Sequence, residues 1–410
     1  MPQADAARYP NVSLHPVYLP EMFGTHHSKM LILLRHDDTA QVIIHTANMI
    51  PRDWTNMTQA AWSSPMLPLL NPSQPPPPNP NPPIGSGEKF KIDLLNYLHA
   101  YDPQRRRICK PIADKLARYD FSTVKGALIA SVPGRFRTDA SAPTRFGWPA
   151  IKETLKSVPV SSSSKADIAI QISSIATLGP TDTWLRNTFL PSLSVASASS
   201  SSSSSSLSGV VDYKVIFPTP DEIRRSLDGY ASGASIHTKT QSSQQAKQLV
   251  YLHPRFYHWA NDCPKGVPLP QGSTIRDAGR KRAAPHIKTY IRFAEDGNMD
   301  WVLLTSANLS KQAWGEARNA STGEVRIASY EIGVLVWPGL YDQGAVMKGA
   351  FCSDMVEEEG EENMASGGES VVSLRMPYSL PLQRYGKDEV PWVATASYTE
   401  LDWMGKGWRN

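Results

Sequence analysis

The chain has 410 residues, 40% of them hydrophobic and 20% charged, enough to bury a large core and more in keeping with two domains than with one. A formal charge of +4 and a pI near 8.8 permit a polyanionic partner without requiring one. The three cysteines, Cys109, Cys263 and Cys352, stand in no disulfide-framework or zinc-ligand spacing, the opening "MPQADAARYP" lacks a signal-peptide core, and no apolar run nears the ~18 residues of a membrane span, so an intracellular protein without a metal or cofactor is expected.

In chain order, "KMLILL" and "AQVIIHTAN" read as buried strands joined by a turn at Asp37-Asp38. Residues 65–87 are proline-rich and are expected to form an extended, solvated loop. "KFKIDLLNYLHAY" (89–101) has the apolar spacing of a helix. "ADIAIQISSIATLG" and "YKVIFP" read as strands on either side of a serine-rich segment, 192–209, that has little to bury. "TPDEIRRSLDGY" predicts a helix capped by Thr219 and ended by Gly229. "WVLLTSAN" and "IGVLVW" are further strands, and residues 354–370 make an acidic surface loop. The mixture indicates an α/β (mixed α+β) fold.

A repeat organises these elements. In the first half His27-Ser-Lys29 is followed by two strand-like runs and "TANMIPRDW", in which Trp54 comes six residues after Asn48; in the second, His286-Ile-Lys288 is followed by two such runs and "SANLSKQAW", in which Trp314 comes six residues after Asn308. His27 and His286 are 259 residues apart and Asn48 and Asn308 are 260 apart, a difference that one turn absorbs. The duplication predicts two similar domains, 1–158 and 159–410, each a mixed sheet flanked by helices and facing the other across a pseudo-two-fold axis, with the polar sets meeting in one cleft.

Two histidines, two lysines and two asparagines suit a tetrahedral anion, above all a phosphodiester whose developing charge the lysines offset where other enzymes use Mg²⁺. One neutral imidazole can attack phosphorus to give a phosphohistidine, while the other, protonated, serves the leaving oxygen and then takes a proton from water. Both need an orienting acceptor.

These paired units resemble the phospholipase D superfamily. "FGTHHSKM", "IHTANMIPRDW", "PHIKTYIR", "TSANLSKQAWG" and "SYEIGVL", together with "VPGRF", "ISSIATLG" and "LDGYASGAS", are similar to the tyrosyl-DNA phosphodiesterase family in particular. Most of the superfamily carries an aspartate five residues after the motif lysine, where this chain has Leu34 and Phe293; the narrower family shares that departure and uses a glutamine and a glutamate instead. By motif, Gln59 and Glu331 take those places as histidine orienters, with the pairing left open.

The resemblance implies that His27 is the nucleophile and His286 the general acid/base, with Lys29, Lys288, Asn48 and Asn308 around the phosphate. It implies a metal-independent DNA-repair phosphodiesterase in the nucleus, acting as a monomer on single- or double-stranded DNA that bears a 3′-tyrosyl or other 3′ adduct, including a topoisomerase I-derived peptide, and leaving a 3′-phosphate. Phe23 falls where the family stacks a base, and Ser174, Thr177, Ser235, Lys247 and Ser310 where it contacts the DNA strand. The runs "QRRRICK" (104–110) and "RDAGRKR" (276–282) would add general attraction. A lipid phosphodiesterase and a non-catalytic DNA-end-binding form are the alternatives.

His26 is expected to pack rather than react, since neighbours on an extended segment point to opposite faces. His45, His237 and His253 have no counterpart in the other copy and are expected to be structural or surface residues, and Trp54 and Trp314 to be core. Only 26 residues precede His27, so the first half is expected to lack the opening strands and helices of its copy and to expose a sheet edge.

Overall fold

The computed structural model describes residues 6–71, 73, 79–102, 107–139, 141–161, 165–197, 210–356 and 370–409. Its centre is a mixed seven-stranded sheet in the order Phe256–Tyr257, Val210–Ile216, Lys165–Gln171, Thr289–Ala294, Met299–Thr305, Glu331–Val336, Ala127–Ser131; the first three run parallel and the later neighbours antiparallel. The smaller sheet belongs to the first half. Met30–Leu34 pairs with Thr39–His45, which in turn pairs with Ala61–Ser63 and Leu67–Pro68.

Alternation along two strands joins these sheets through a shared core. Ile332 and Val334 of one strand, and Leu128 and Ala130 of its neighbour, pack with Val42 and Ile44 of the small sheet and with Phe90, Leu94 and Tyr97 of helix Gly87–His99. Leu335, Ala127 and Ile129 point the opposite way, into the larger core with Trp301 and Trp314. The expected division after residue 158 is therefore crossed: Ala127–Ser131 closes the large sheet, and Gly134–Arg137 pairs with Glu324–Ile327.

Local sequence explains the element ends, with some differences from expectation. Ser86 accepts the Lys89 N–H and starts helix Gly87–His99 two residues earlier than periodicity suggests. Thr219 and Glu222 form a capping box, but that helix ends at Arg224, and Gly229 opens a separate 3₁₀ stretch, Gly229–Ser235. The 65–87 segment is not loop throughout, because Leu67 is fully buried against Ala40 and Gly87 is already helical; residues 72 and 74–78 lie outside the described residues. Ser192 is likewise buried in helix Leu190–Leu193 rather than in a loop, while 198–209 and, in the acidic segment, 357–369 lie outside the described residues.

The halves are unequal where the sequence suggests they are. Strand Thr289–Ala294 lies between two strands, whereas its counterpart Met30–Leu34 pairs on one side only among the described residues, with Leu31, Leu33 and Leu34 exposed. The same inequality corrects the expectation for Trp54. Trp314 is 1% exposed against Phe189 and Tyr290, while Trp54 is 56% exposed, donating its indole N–H to the Asn48 carbonyl and lying beside His45. Trp314→Ala is expected to cost about 3–5 kcal/mol and Trp54→Ala under about 1 kcal/mol, as measured by denaturant unfolding.

Candidate functional site

Each His-x-Lys segment is held by the opposite half of the chain. The His27 N–H donates to Tyr330 O at 3.0 Å, and the His286 N–H to Thr58 O at 3.1 Å. The residue following each acceptor is the expected orienter: Glu331 Oε2 lies 3.0 Å from His27 Nδ1, and Gln59 Oε1 lies 3.3 Å from His286 Nδ1. Each lysine turns back within its own motif, Lys29 Nζ donating to His27 O at 2.7 Å and Lys288 Nζ to His286 O. Gly24 makes the first of these crossings possible, since a Cβ there would run into the Ala328 carbonyl; across the same contact, Tyr330 N–H donates to Thr25 O at 2.9 Å.

A cleft of about 540 Å³ opens over this arrangement. It is lined by His27, His286, Asn48, Asn308, Glu331, Phe23, Ser174, Ser235 and Ser310. Asn308 Oδ1 accepts the backbone N–H groups of Ser173 and Ser174 at 3.0 and 2.9 Å, which leaves its amide NH₂ for an anion. Asn48 Nδ2 lies 3.4 Å from His286 Nε2. Phe23 is 73% exposed at the mouth. Ser310 Oγ caps the short helix Lys311–Trp314 by accepting the Ala313 N–H, which uses a lone pair and leaves its O–H as a donor at the cleft wall.

The remaining expected residues stand back from the cleft. Lys288 is fully buried beneath it, and Lys29 is partly buried. Thr177 is exposed and accepts Gln245 Nε2 at 3.3 Å, while Lys247 is exposed on helix Ser243–Leu252. The basic run 276–282 is largely neutralised locally: Lys281 pairs with Asp277 at 2.9 Å, Arg282 with Asp262 at 2.6 Å, and Arg276 lies over the Phe351 ring. In 104–110, residues 104–106 lie outside the described residues, and Lys110 pairs with Asp114. His26 hydrogen-bonds Tyr101 at 2.9 Å and faces away from the cleft lining.

Two groups at the site lie outside the sequence expectation, one beneath the cleft and one lining it. Asp53, in the first turn of helix Pro51–Thr55, is buried; its Oδ2 accepts the Asn48 N–H at 2.6 Å and lies 3.3 Å from His286 Nδ1, while its Oδ1 has no hydrogen-bond partner among the described residues. The repeat carries no hint of it, because the matching position in the other copy is Ala313. His237, expected to be structural, lines the cleft, held there by its N–H to Ser173 O at 2.9 Å. Its sequence signals are its place two residues after Ser235 and a His-x-Lys spacing to Lys239 that stands outside the repeat.

Burial and charge set the protonation of these groups. Burial holds the His286 imidazole well below its ordinary 6.5, and the Lys288 and Lys29 ammoniums and His27 push it further down. Burial likewise holds Lys288 well below an ordinary lysine, with Lys29 adding to the effect and Glu331 and Asp53 opposing it. Lys29 is lowered for the same first reason. Burial pushes the Glu331 carboxyl up, but His27, the Ser306 hydroxyl and Lys29 together leave it below the usual carboxylate value. An entering phosphodiester anion favours the charged form of every cation in this set.

Comparison with known proteins agrees with the geometry. A family model described as tyrosyl-DNA phosphodiesterase matches residues 1–386. A probable tyrosyl-DNA phosphodiesterase of Schizosaccharomyces pombe is 31% identical, over 97% of this chain and 80% of the relative. Tyrosyl-DNA phosphodiesterase 1 of Arabidopsis thaliana and that of Drosophila melanogaster are each 30% identical over 97% and 92% of this chain, which spans only 64% and 58% of their lengths. The crystal structure of the yeast tyrosyl-DNA phosphodiesterase shares the fold, with a TM-score of 0.63 at 20% identity over 95% of this chain and 81% of the yeast chain. With the family model running through both His-x-Lys units and on to residue 386, the chain belongs to the tyrosyl-DNA phosphodiesterase family of the phospholipase D superfamily.

Proposed function

We propose that the chain hydrolyses the 3′-phosphotyrosyl bond between DNA and a topoisomerase I-derived peptide, and other 3′ adducts, through a phosphohistidine on His27. The observation that carries this reading is the reciprocal hold on the two histidines: each Nδ1 faces an acceptor beside its backbone anchor, Glu331 for His27 and Gln59 for His286. This leaves the Nε2 atoms for chemistry in a shared cleft.

In the first step the His27 Nε2 lone pair forms a bond to phosphorus as the phosphorus–tyrosyl oxygen bond breaks, and His286 gives its Nε2 proton to the departing oxygen. In the second, a water oxygen bonds to phosphorus, its proton passes to His286, and the His27–phosphorus bond breaks to leave a 3′-phosphate. Lys29, Lys288, Asn48 and Asn308 counter the charge on the phosphoryl oxygens, so the charge stabilisation comes from side chains and not from a metal. Gln59, Glu331 and Asp53 act as positioning residues.

Phe23, at the exposed mouth, offers a stacking face for a base next to the adduct, and Ser174 and Ser235 supply hydroxyls along one wall for the strand's phosphates, with Thr177 and Lys247 further out. Such contacts give little sequence preference, and they suit an end-processing exonuclease-type activity on single strands or frayed duplex ends. The proposed substrate implies residence in the nucleus, and a monomer is the proposed acting form, since one chain carries both His-x-Lys units.

The test is incubation with a 3′-tyrosyl oligonucleotide and, separately, with phosphatidylcholine, each in EDTA. Release of tyrosine with a 3′-phosphate product, undiminished by chelation, is expected. Cleavage of the lipid alone would assign the cleft to the superfamily's lipid chemistry, and binding of DNA ends without turnover would reduce the chain to an end-binding form. Loss of DNA cleavage on chelation would overturn the metal-independent mechanism.

A further inference from the structure

The spacing of the cysteines gives no reason to expect zinc, but the fold places Cys263 beside two residues that the sequence keeps apart. We propose that His258, Cys263 and Glu389 bind one Zn²⁺ at a site separate from the catalytic cleft, with the fourth coordination position open to a cavity. The three side chains present an imidazole Nε2, a thiol Sγ and a carboxylate oxygen that all lie within 4.8 Å of one another. Glu389 bridges the set, with Oε2 2.9 Å from His258 Nε2 and Oε1 3.0 Å from Cys263 Sγ. The His258 side chain is fully buried and that of Glu389 is 8% exposed, while Cys263 and Glu389 line a cavity of about 550 Å³ that shares no lining residue with the catalytic cleft.

Each ligand has its own support, as metal ligands require. The buried Glu222 carboxylate lies 3.2 Å from His258 Nδ1 and Glu389 Oε2 lies 2.9 Å from Nε2, so both ring nitrogens donate in the metal-free protein, and Glu222 keeps the Nδ1 hydrogen in place when a metal replaces the one on Nε2. Gln383 grips the backbone of Cys263 from both sides, its Oε1 accepting the Cys263 N–H at 3.1 Å and its Nε2 donating to the Cys263 carbonyl at 2.8 Å. The Gly386 N–H donates to Glu389 Oε2 at 2.7 Å. Gly266 keeps the face of the imidazole clear, since a Cβ there would come within 2.9 Å of His258 Nε2.

A nitrogen, thiolate and carboxylate set favours Zn²⁺ over hard cations such as Mg²⁺. Bonds of about 2.0–2.3 Å would hold the three ligand atoms somewhat further apart than their present hydrogen bonds, an adjustment within side-chain rotation. On binding, Cys263 loses its Sγ proton and His258 its Nε2 proton to solvent, Glu389 binds through a carboxylate lone pair, and the metal stays divalent. The Glu389 loop would then be tied to the 258–263 turn by the ion, and the open position would take water or a solute donor from the cavity.

The experiment uses the full chain, stripped by dialysis against a chelator and titrated with Co²⁺ as a spectroscopic probe and then with Zn²⁺. One equivalent of Co²⁺ is expected to give tetrahedral visible bands and a thiolate-to-cobalt charge-transfer band, both displaced by Zn²⁺. The Cys109→Ser/Cys352→Ser double variant must keep that band, because Cys263 is then the sole thiol, and Cys263→Ser must lose it along with at least about tenfold in Zn²⁺ affinity. If the double variant gives no charge-transfer band, or if the band survives in Cys263→Ser, the site does not exist. The double variant decides the question even if Cys263→Ser fails to fold.

Discussion

His286→Asn is expected to trap the protein on its DNA. Asparagine keeps a polar group of similar reach but cannot accept a proton from water, so in the proposed sequence it impairs the second step far more than the first. A tyrosyl oxygen, with an ordinary pKa of about 10, departs without much help, whereas hydrolysis of the phosphohistidine depends on a base worth about 10²–10⁴ in rate. A 3′-tyrosyl oligonucleotide should therefore give a protein-linked band on a denaturing gel that persists for hours. His27→Ala should give none, since it lacks the attacking nitrogen. An adduct in His27→Ala would reverse the two roles.

Lys288→Met should lose activity and gain stability together. The Lys288 ammonium is fully buried, with its hydrogen bond to the His286 carbonyl, and burial lowers its pKa well below that of a free lysine. Between the lowered native pKa and the free lysine value of about 10.4 the folded protein binds fewer protons than the unfolded chain, so the penalty on folding is full below that window and fades as pH rises through it. Methionine has similar volume and no charge, so a gain of about 1–3 kcal/mol is expected near neutral pH, shrinking toward pH ~10. Loss of a charged donor to the phosphoryl group should cost about 10²–10³ in kcat. Denaturant melts at pH 7 and pH 10 check the first claim, and single-turnover cleavage checks the second; a Lys288→Met protein less stable than the parent at pH 7 would show that the buried ammonium is better compensated than its surroundings indicate.

Much of the site is legible in the sequence because it is written twice. Chance supplies one His-x-Lys in a chain of this size, but not a second at matched distance from an Asn and a Trp, so the His, Lys and Asn residues stand out from residue order alone. What the repeat carries by symmetry it also conceals by asymmetry. Asp53 reaches His286 from a position that is Ala313 in the other copy, and Trp54 stays at the surface because, among the described residues, the small sheet offers no equivalent of the Phe189 and Tyr290 packing around Trp314. Helix ends are less legible than helix starts, as with the 219–224 helix, whose capping box is explicit in the sequence while its end is set by packing.

The sequence by itself determined the two His-x-Lys motifs, the mixed α/β class and most of the buried strands, because hydrophobic alternation and a duplicated polar pattern are local signals. Only the tertiary structure decided which orienter faces which histidine. Gln59 and His286 come from opposite halves, as do Glu331 and His27, and they meet because each motif strand hydrogen-bonds to the residue preceding the other half's orienter. It also brought His258, Cys263 and Glu389 together across 131 residues of chain. Contacts made at such separations depend on how the sheets pack, which residue order along one strand does not specify.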